Sequence, residues 1–222
     1  MIKLISFKIC PFVQRVTAAL TAKQIPFEIE YIKLNAKPQW FLDLAPNGQV
    51  PVLITESGQP LFESDAIIEY IEDEYGPLEG GVSNEQRAQD RAWSYLGAKN
   101  YLGQCGTMRS KDKQTFTERS EKLIAAFAKV ENKLTGNTQF FKSNELSNVD
   151  IAWLPLLHRA AIVKKYTDYD FLDGLPKTQM WQQNVLASLA IEGTVSEDFE
   201  PLFRDFYLTN TYLSNVLAVS QG

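Results

Sequence analysis

The chain has few side chains suited to chemistry: its 222 residues include two cysteines, Cys10 and Cys105, and one histidine, His158. These supply neither a Cys/His zinc cluster nor a C-x-x-C dithiol, so no metal is expected. A Ser-His-Asp triad would have to use His158, and no G-x-S-x-G elbow exists to present its serine. Cys10 carries the sharpest signal. It follows a strand-like run, Ile2 to Phe7, and precedes Pro11, a residue suited to the first turn of a helix. A thiol at a helix N-terminus meets unpaired amides and the positive end of the dipole, which predicts a pKa below the ordinary value of about 8.5 and a thiolate nucleophile. Val13 stands where a dithiol enzyme would carry its second cysteine, so disulfide chemistry at Cys10 calls for an external thiol. The bland alternative is an inert, packed cysteine.

The elements that must position Cys10 follow from periodicity. Ile2 to Phe7 reads as a strand, and Val13, Val16 and Leu20 recur at helical spacing after Pro11. Phe27 to Tyr31 alternates apolar and acidic residues as a second strand, and a short helix is expected after Pro38 around Trp40, Phe41 and Leu44. Val50 to Ile54 and Leu61-Phe62 form a hairpin across Ser57-Gly58-Gln59-Pro60, and Ser64 is placed to cap a helix from Asp65 to Tyr75. The order β-α-β-α-β-β-α fills residues 1–76. A Gly/Pro-rich linker, 77–83, follows, and 84–222 is read as all-helical. In that half, helical patterns run from Arg87 to Leu102 and through Leu123, Ala126, Phe127, Val130 and Leu134. Ser147 and Asp150 form a capping-box variant with Leu146 and Ile151 as a hydrophobic staple, so Asp150 is assigned a structural role rather than a catalytic one.

Composition narrows the partners. With 22 basic and 27 acidic residues the net charge is −5, and the basic residues are scattered. Such a chain lacks the usual footprint for nucleic acid or an anionic membrane. No apolar run approaches the roughly 18 residues of a membrane span, and Met1 leads into a strand rather than a secretory leader, so a reducing, cytoplasmic compartment is expected. A hydrophobic fraction of 45% allows a sizeable core.

The motifs Cys10-Pro11-Phe12-Val13-Gln14-Arg15, Lys37-Pro38-Gln39-Trp40-Phe41, Pro46-Asn47-Gly48-Gln49-Val50-Pro51-Val52-Leu53 and Leu61-Phe62-Glu63-Ser64-Asp65-Ala66-Ile67 stand in an order that resembles the glutathione transferase superfamily. Cysteine at the active position resembles its omega-type branch. The resemblance implies an α/β thioredoxin-like N-terminal domain plus an all-α C-terminal helical domain. It also implies glutathione as co-substrate and, by family habit, a homodimer.

Carried over by residue, the resemblance makes Cys10 the thiol that forms a mixed disulfide with glutathione. Val50, exposed by a cis Pro51, would pair its backbone with the cysteinyl part of the tripeptide. Glu63 and Ser64 would hold the γ-glutamyl end, Lys37 would pair with the glycyl carboxylate, and Phe12 would flank the tripeptide. Phe12, Tyr101 and Arg159 would wall a second-substrate pocket. Leu156 stands where omega-type enzymes often carry an aromatic, His158 is expected to be a packed or surface histidine rather than a base, and Cys105 is expected to pack in a helix, with a close approach to Cys10 left open. The implied function is a glutathione-dependent thiol transferase or reductase acting on a small electrophile or mixed disulfide. Glutathione conjugation to electrophiles and a non-catalytic protein-binding module of the same fold are the alternatives.

Overall fold

The computed structural model describes residues 1–189 and 191–214; residues 215–222, the end of the predicted helical half, lie outside them. The first strand, β1 (Ile2–Ser6), has Ile2, Leu4 and Ile5 buried because it lies inside a four-stranded sheet. Its neighbours are β2 (Phe27–Tyr31), β3 (Val52–Ile54) and β4 (Pro60–Phe62), in the order β2-β1-β3-β4. β1 runs parallel to β2, with Ile2 opposite Phe27, and antiparallel to β3, with Leu4 opposite Leu53; β3 and β4 form the predicted hairpin. A parallel pair needs a crossover, and α1 (Pro11–Ala22) supplies it.

The helical spacing of Val13, Val16 and Leu20 turns them onto Ile2, Leu4 and Leu53, together with Ile67 and Ile71 of α3 (Ser64–Tyr75). The other sheet face packs Ile5 and Val52 against Phe41 and Ala45, which flank the second half of α2 (Gln39–Leu44). Gly76, at φ 76°, ends α3 in a conformation that favours glycine. One boundary differs from expectation. Ser64 is the first residue of α3 rather than its cap; Glu63 holds the cap position at φ 67°, and no side chain caps this end.

From there on the described residues are helical. Ser83 caps α4 (Asn84–Lys99) by accepting the Gln86 amide at 3.2 Å, and the expected single run breaks at Asn100 into α4 and α5 (Tyr101–Met108). The helices α6 (Lys113–Lys133), α7 (Asn148–Thr167), α8 (Pro176–Ser188) and α9 (Phe199–Leu208) follow, with a short 3-10 turn at Ile191–Thr194. The stripe Leu123, Ala126, Phe127, Val130 and Leu134 is buried, as its spacing predicts. α7 is the axis of this half: it is buried on nearly every side and packs against α4, α8 and, across the seam, α1. Its start uses the expected capping box. Asp150 Oδ2 accepts from the Ser147 amide at 2.8 Å and its hydroxyl at 2.6 Å, while Oδ1 accepts from Phe141 N and Trp181 Nε1. The two halves are joined by α1, whose Thr17 hydroxyl donates to the Thr194 carbonyl at 2.6 Å. No helix of the described residues is long and apolar enough to cross a membrane.

Candidate active site

Cys10 is the N-cap of α1, at φ −75° and ψ 123°, with Pro11 opening the first turn. Its amide closes a turn onto the Phe7 carbonyl at 3.0 Å, and its carbonyl accepts from Gln14 at 3.1 Å, so the residue is anchored on both sides. The backbone amides of Phe12 and Val13 point at the sulfur, and the Arg159 cation is near; all three favour thiolate. Burial outweighs them and pushes the thiol up to about 11, so the expected depressed pKa is not found. The helix-terminus argument counts the local dipole, whereas the cost of desolvation comes from the surroundings of the sulfur, which include the apolar cluster of Val13, Val16, Leu53 and Ile67.

Beyond Phe12 the chain builds a cleft of about 110 Å³ lined by Phe12, Asn47, Gln49, Val50, Pro51, Glu63 and Ser64. The Val50-Pro51 bond is cis, as expected, and Val50 has no backbone-to-backbone hydrogen bond among the described residues. Its amide and carbonyl are therefore available to an extended ligand. Ser64 is buried on the cleft wall. Glu63 is a non-glycine residue in the left-handed region, a placement that costs of order 1–3 kcal/mol. Its carboxylate accepts from Asn47 Nδ2 at 2.8 Å, and Asn47 Oδ1 in turn accepts the Gln49 amide at 3.0 Å. Asn47 and Gln49 were not singled out as site residues from the sequence, although Asn before Gly is a turn signal that places them on one loop. Lys37 is exposed and does not line the cleft; its Nζ lies 3.9 Å from where a Cβ on Gly48 would stand, so it borders the same loop.

The structure thus gathers Phe12, Val50, Pro51, Glu63 and Ser64, with Cys10 at the start of the Phe12 helix. Tyr101 and Arg159 are placed differently from the expected pocket wall: both are fully buried. Tyr101 donates its hydroxyl to the Ala152 carbonyl and sets its ring edge-on to Phe12, with centroids 5.0 Å apart. Arg159 donates to Gln14 Oε1, to the Pro155 carbonyl and to the Ile9 carbonyl, the last two at 3.1 Å. Leu156 is likewise fully buried. A larger space opens beside the segment that precedes Cys10. A cavity of about 660 Å³ between the Phe7–Ile9 segment and α9 is walled by Phe7, Ile9, Tyr31, Leu34, Leu202 and Phe206.

His158 takes the packed one of its two expected placements. It stacks on Phe199 at 5.3 Å, its Nδ1 faces Gln14 Nε2 at 2.8 Å, and burial lowers its pKa to about 3. Burial pushes the Asp150 carboxyl up against its four hydrogen bonds, in keeping with a structural role.

A helix-capping thiol and a cis proline on a small mixed sheet, followed by a helical half, define the class of thioredoxin-type proteins with a helical second domain. Within that class the chain belongs to the glutathione S-transferase family: residues 9–74 match the model described as "Glutathione S-transferase, N-terminal domain" and residues 87–188 that described as "Glutathione S-transferase, C-terminal domain". It is similar to glutathione S-transferase omega-1 of Sus scrofa, 28% identical over 215 residues, which covers 95% of this chain and 88% of that protein. Similarity extends to the probable chloroplastic glutathione S-transferase DHAR2 of Oryza sativa subsp. japonica, 29% identical over 195 residues, or 80% of this chain and 68% of the relative. The fold matches the crystal structure of glutathione transferase Omega 3C from Trametes versicolor with a TM-score of 0.75 at 23% identity, covering 88% of this chain and 89% of that one.

Proposed function

We propose that the protein is a glutathione-dependent thiol transferase that works through a mixed disulfide at Cys10. The observation that carries this reading is the position of Cys10, at the N-cap of the helix that also supplies Phe12 to the cleft, with Val13 in place of a second cysteine. In the first step the Cys10 sulfur attacks the glutathione sulfur of a mixed disulfide R-S-S-glutathione. The Cys10-S-S-glutathione bond forms, the R-S bond to glutathione breaks, and R-S leaves with the Cys10 proton. A second glutathione thiol then attacks the glutathione sulfur on Cys10, so glutathione disulfide departs and the proton shed by the attacking thiol restores the Cys10 thiol.

In this reading the free amide and carbonyl of Val50 bind the cysteinyl part of the tripeptide in the manner of an added strand. Ser64, on the first turn of α3, and Glu63 hold the γ-glutamyl carboxylate and amine, with the helix start suited to the anion. Lys37, beside the Gly48 loop, pairs with the glycyl carboxylate. The second substrate places its apolar body in the cavity between Phe7–Ile9 and α9. Residues 1–76 form the glutathione-binding unit and 84–222 the substrate-binding one, and the protein acts as a homodimer in the cytoplasm.

One observation favours a second reading. A thiol whose pKa is raised to about 11 is a proton donor at neutral pH and can hydrogen-bond a glutathione thiolate, which would suit conjugation to electrophiles. Two measurements separate the readings. Incubation with glutathione disulfide followed by mass mapping is expected to show modification of Cys10 in the wild type and none in Cys10→Ser. Turnover of a small glutathione mixed disulfide is expected to fall at least about 100-fold in Cys10→Ser. Activity on an aryl halide that survives in Cys10→Ser, with no modification of Cys10 in the wild type, overturns the thiol transferase reading.

A further inference from the structure

Cys105 is a second thiol, on the helix whose Tyr101 ring meets Phe12. It lies on α5 one helical turn after Tyr101, so both side chains share a face. The Tyr101 ring meets Phe12, two residues past Cys10, which turns that face toward the start of α1. The Cys105 sulfur accepts a hydrogen bond from the Tyr207 hydroxyl of α9 at 3.2 Å, and a charge on Cys105 is close enough to raise the proton affinity of Cys10. Both cysteines are free and partly accessible.

An independent observation calls for an anion at this point. Arg159 is fully buried, yet among the described residues its guanidinium meets only the neutral oxygens of Gln14, Pro155 and Ile9, and its Nε has no partner at all. The ionisable groups whose negative forms would offset its charge are Cys105, Tyr207, Cys10 and Tyr101. A buried cation without a counter-ion is costly, and a thiolate formed at either cysteine relieves that cost.

We propose that Cys105 is a resolving thiol for the Cys10-glutathione disulfide and takes the place of the external glutathione in the second step above, an inference that rests on the mixed-disulfide reading. Cys105 Sγ attacks the Cys10 sulfur: the Cys10-Cys105 disulfide forms, the bond from Cys10 to glutathione breaks, and glutathione leaves as a thiol with the proton that Cys105 sheds. Two further glutathione molecules reduce the internal disulfide to two thiols and depart as glutathione disulfide. Tyr207 donates to the attacking sulfur and Arg159 stabilises it as it loses its proton.

The full chain is incubated with glutathione disulfide, then its intact mass and cysteine peptides are mapped. The expected wild-type product is lighter by two hydrogens, carries no glutathione and yields a linked Cys10-Cys105 peptide, whereas Cys105→Ser keeps one glutathione on Cys10. Tyr207→Phe, which leaves both thiols in place, is expected to slow formation of the linked peptide by about 2- to 10-fold, the worth of one hydrogen bond. A wild type that keeps glutathione on Cys10 with Cys105 free overturns this inference and leaves the mixed-disulfide reading standing. A wild type and a Cys105→Ser variant that both leave Cys10 unmodified overturn the parent reading and the inference with it.

Discussion

At the Cys10 sulfur, the amides of Phe12 and Val13 and the Arg159 cation pull toward thiolate while burial pulls toward thiol, and burial prevails. The unliganded protein therefore holds its nucleophile protonated at neutral pH. The rate of Cys10 alkylation by iodoacetamide, followed by peptide mapping so that Cys105 is scored separately, is expected to climb with pH and level off near 11. A plateau at or below the ordinary value of about 8.5 would show that the helix terminus outweighs burial after all. Such a thiol spends little time as thiolate, which limits adventitious oxidation.

Single helices read well from sequence where one face meets one neighbour. The stripe from Leu123 to Leu134 in α6 and the box at Ser147 and Asp150 are of that kind, because spacing or local hydrogen bonding alone defines them. α7 is different: it is buried on nearly every side, so its pattern cannot say whether Arg159 faces a cavity or the core, and the answer comes from Ile9 and Gln14 on another element. That Phe12, Val50, Pro51, Glu63 and Ser64 line one cleft is implied by the family resemblance of their motifs rather than by spacing alone. The electrostatics of the site are not, because desolvation depends on what packs around a group. Gly97 shows the same dependence at the α4–α7 contact. A Cβ there would fall 2.9 Å from Trp153 Nε1, whose N–H donates to the Trp93 carbonyl at 3.0 Å. An isolated helix would gain from Gly→Ala, but here the fully buried Trp153 must shift. Gly97→Ala is expected to destabilise by about 1–3 kcal/mol in denaturant unfolding, and a gain in stability would show that the two helices can separate without loss.

Across the whole molecule the two halves share a polar seam as well as an apolar one. Gln14 of α1 touches both Arg159 and His158 of α7, and Thr17 and Gln14 reach Thr194 before α9. His158 is neutral in this seam: burial and the neighbouring Arg159 cation lower its pKa to about 3, against a smaller opposing influence from Glu200. The sign of the pH effect follows. Below the ordinary value of 6.5 the unfolded chain takes up a proton that the folded chain refuses until about pH 3, so His158 favours the folded state fully above 6.5 and progressively less as the pH falls between those limits. The slope from this one group is of order 1 kcal/mol per pH unit. Because His158 bonds to the helix that carries Cys10, acid should loosen the joint between the halves and the active thiol together. Denaturant unfolding at pH 6.5, 5.5 and 4.5 is expected to show this loss in the wild type and a shallower one in His158→Gln, which keeps a polar partner for Gln14 without the titrating ring. Equal slopes in the two proteins would place the acid sensitivity elsewhere. A Cys10 alkylation rate that rises on acidification in the wild type but not in His158→Gln would tie the loss to opening of the seam, because protonation alone can only slow a thiol.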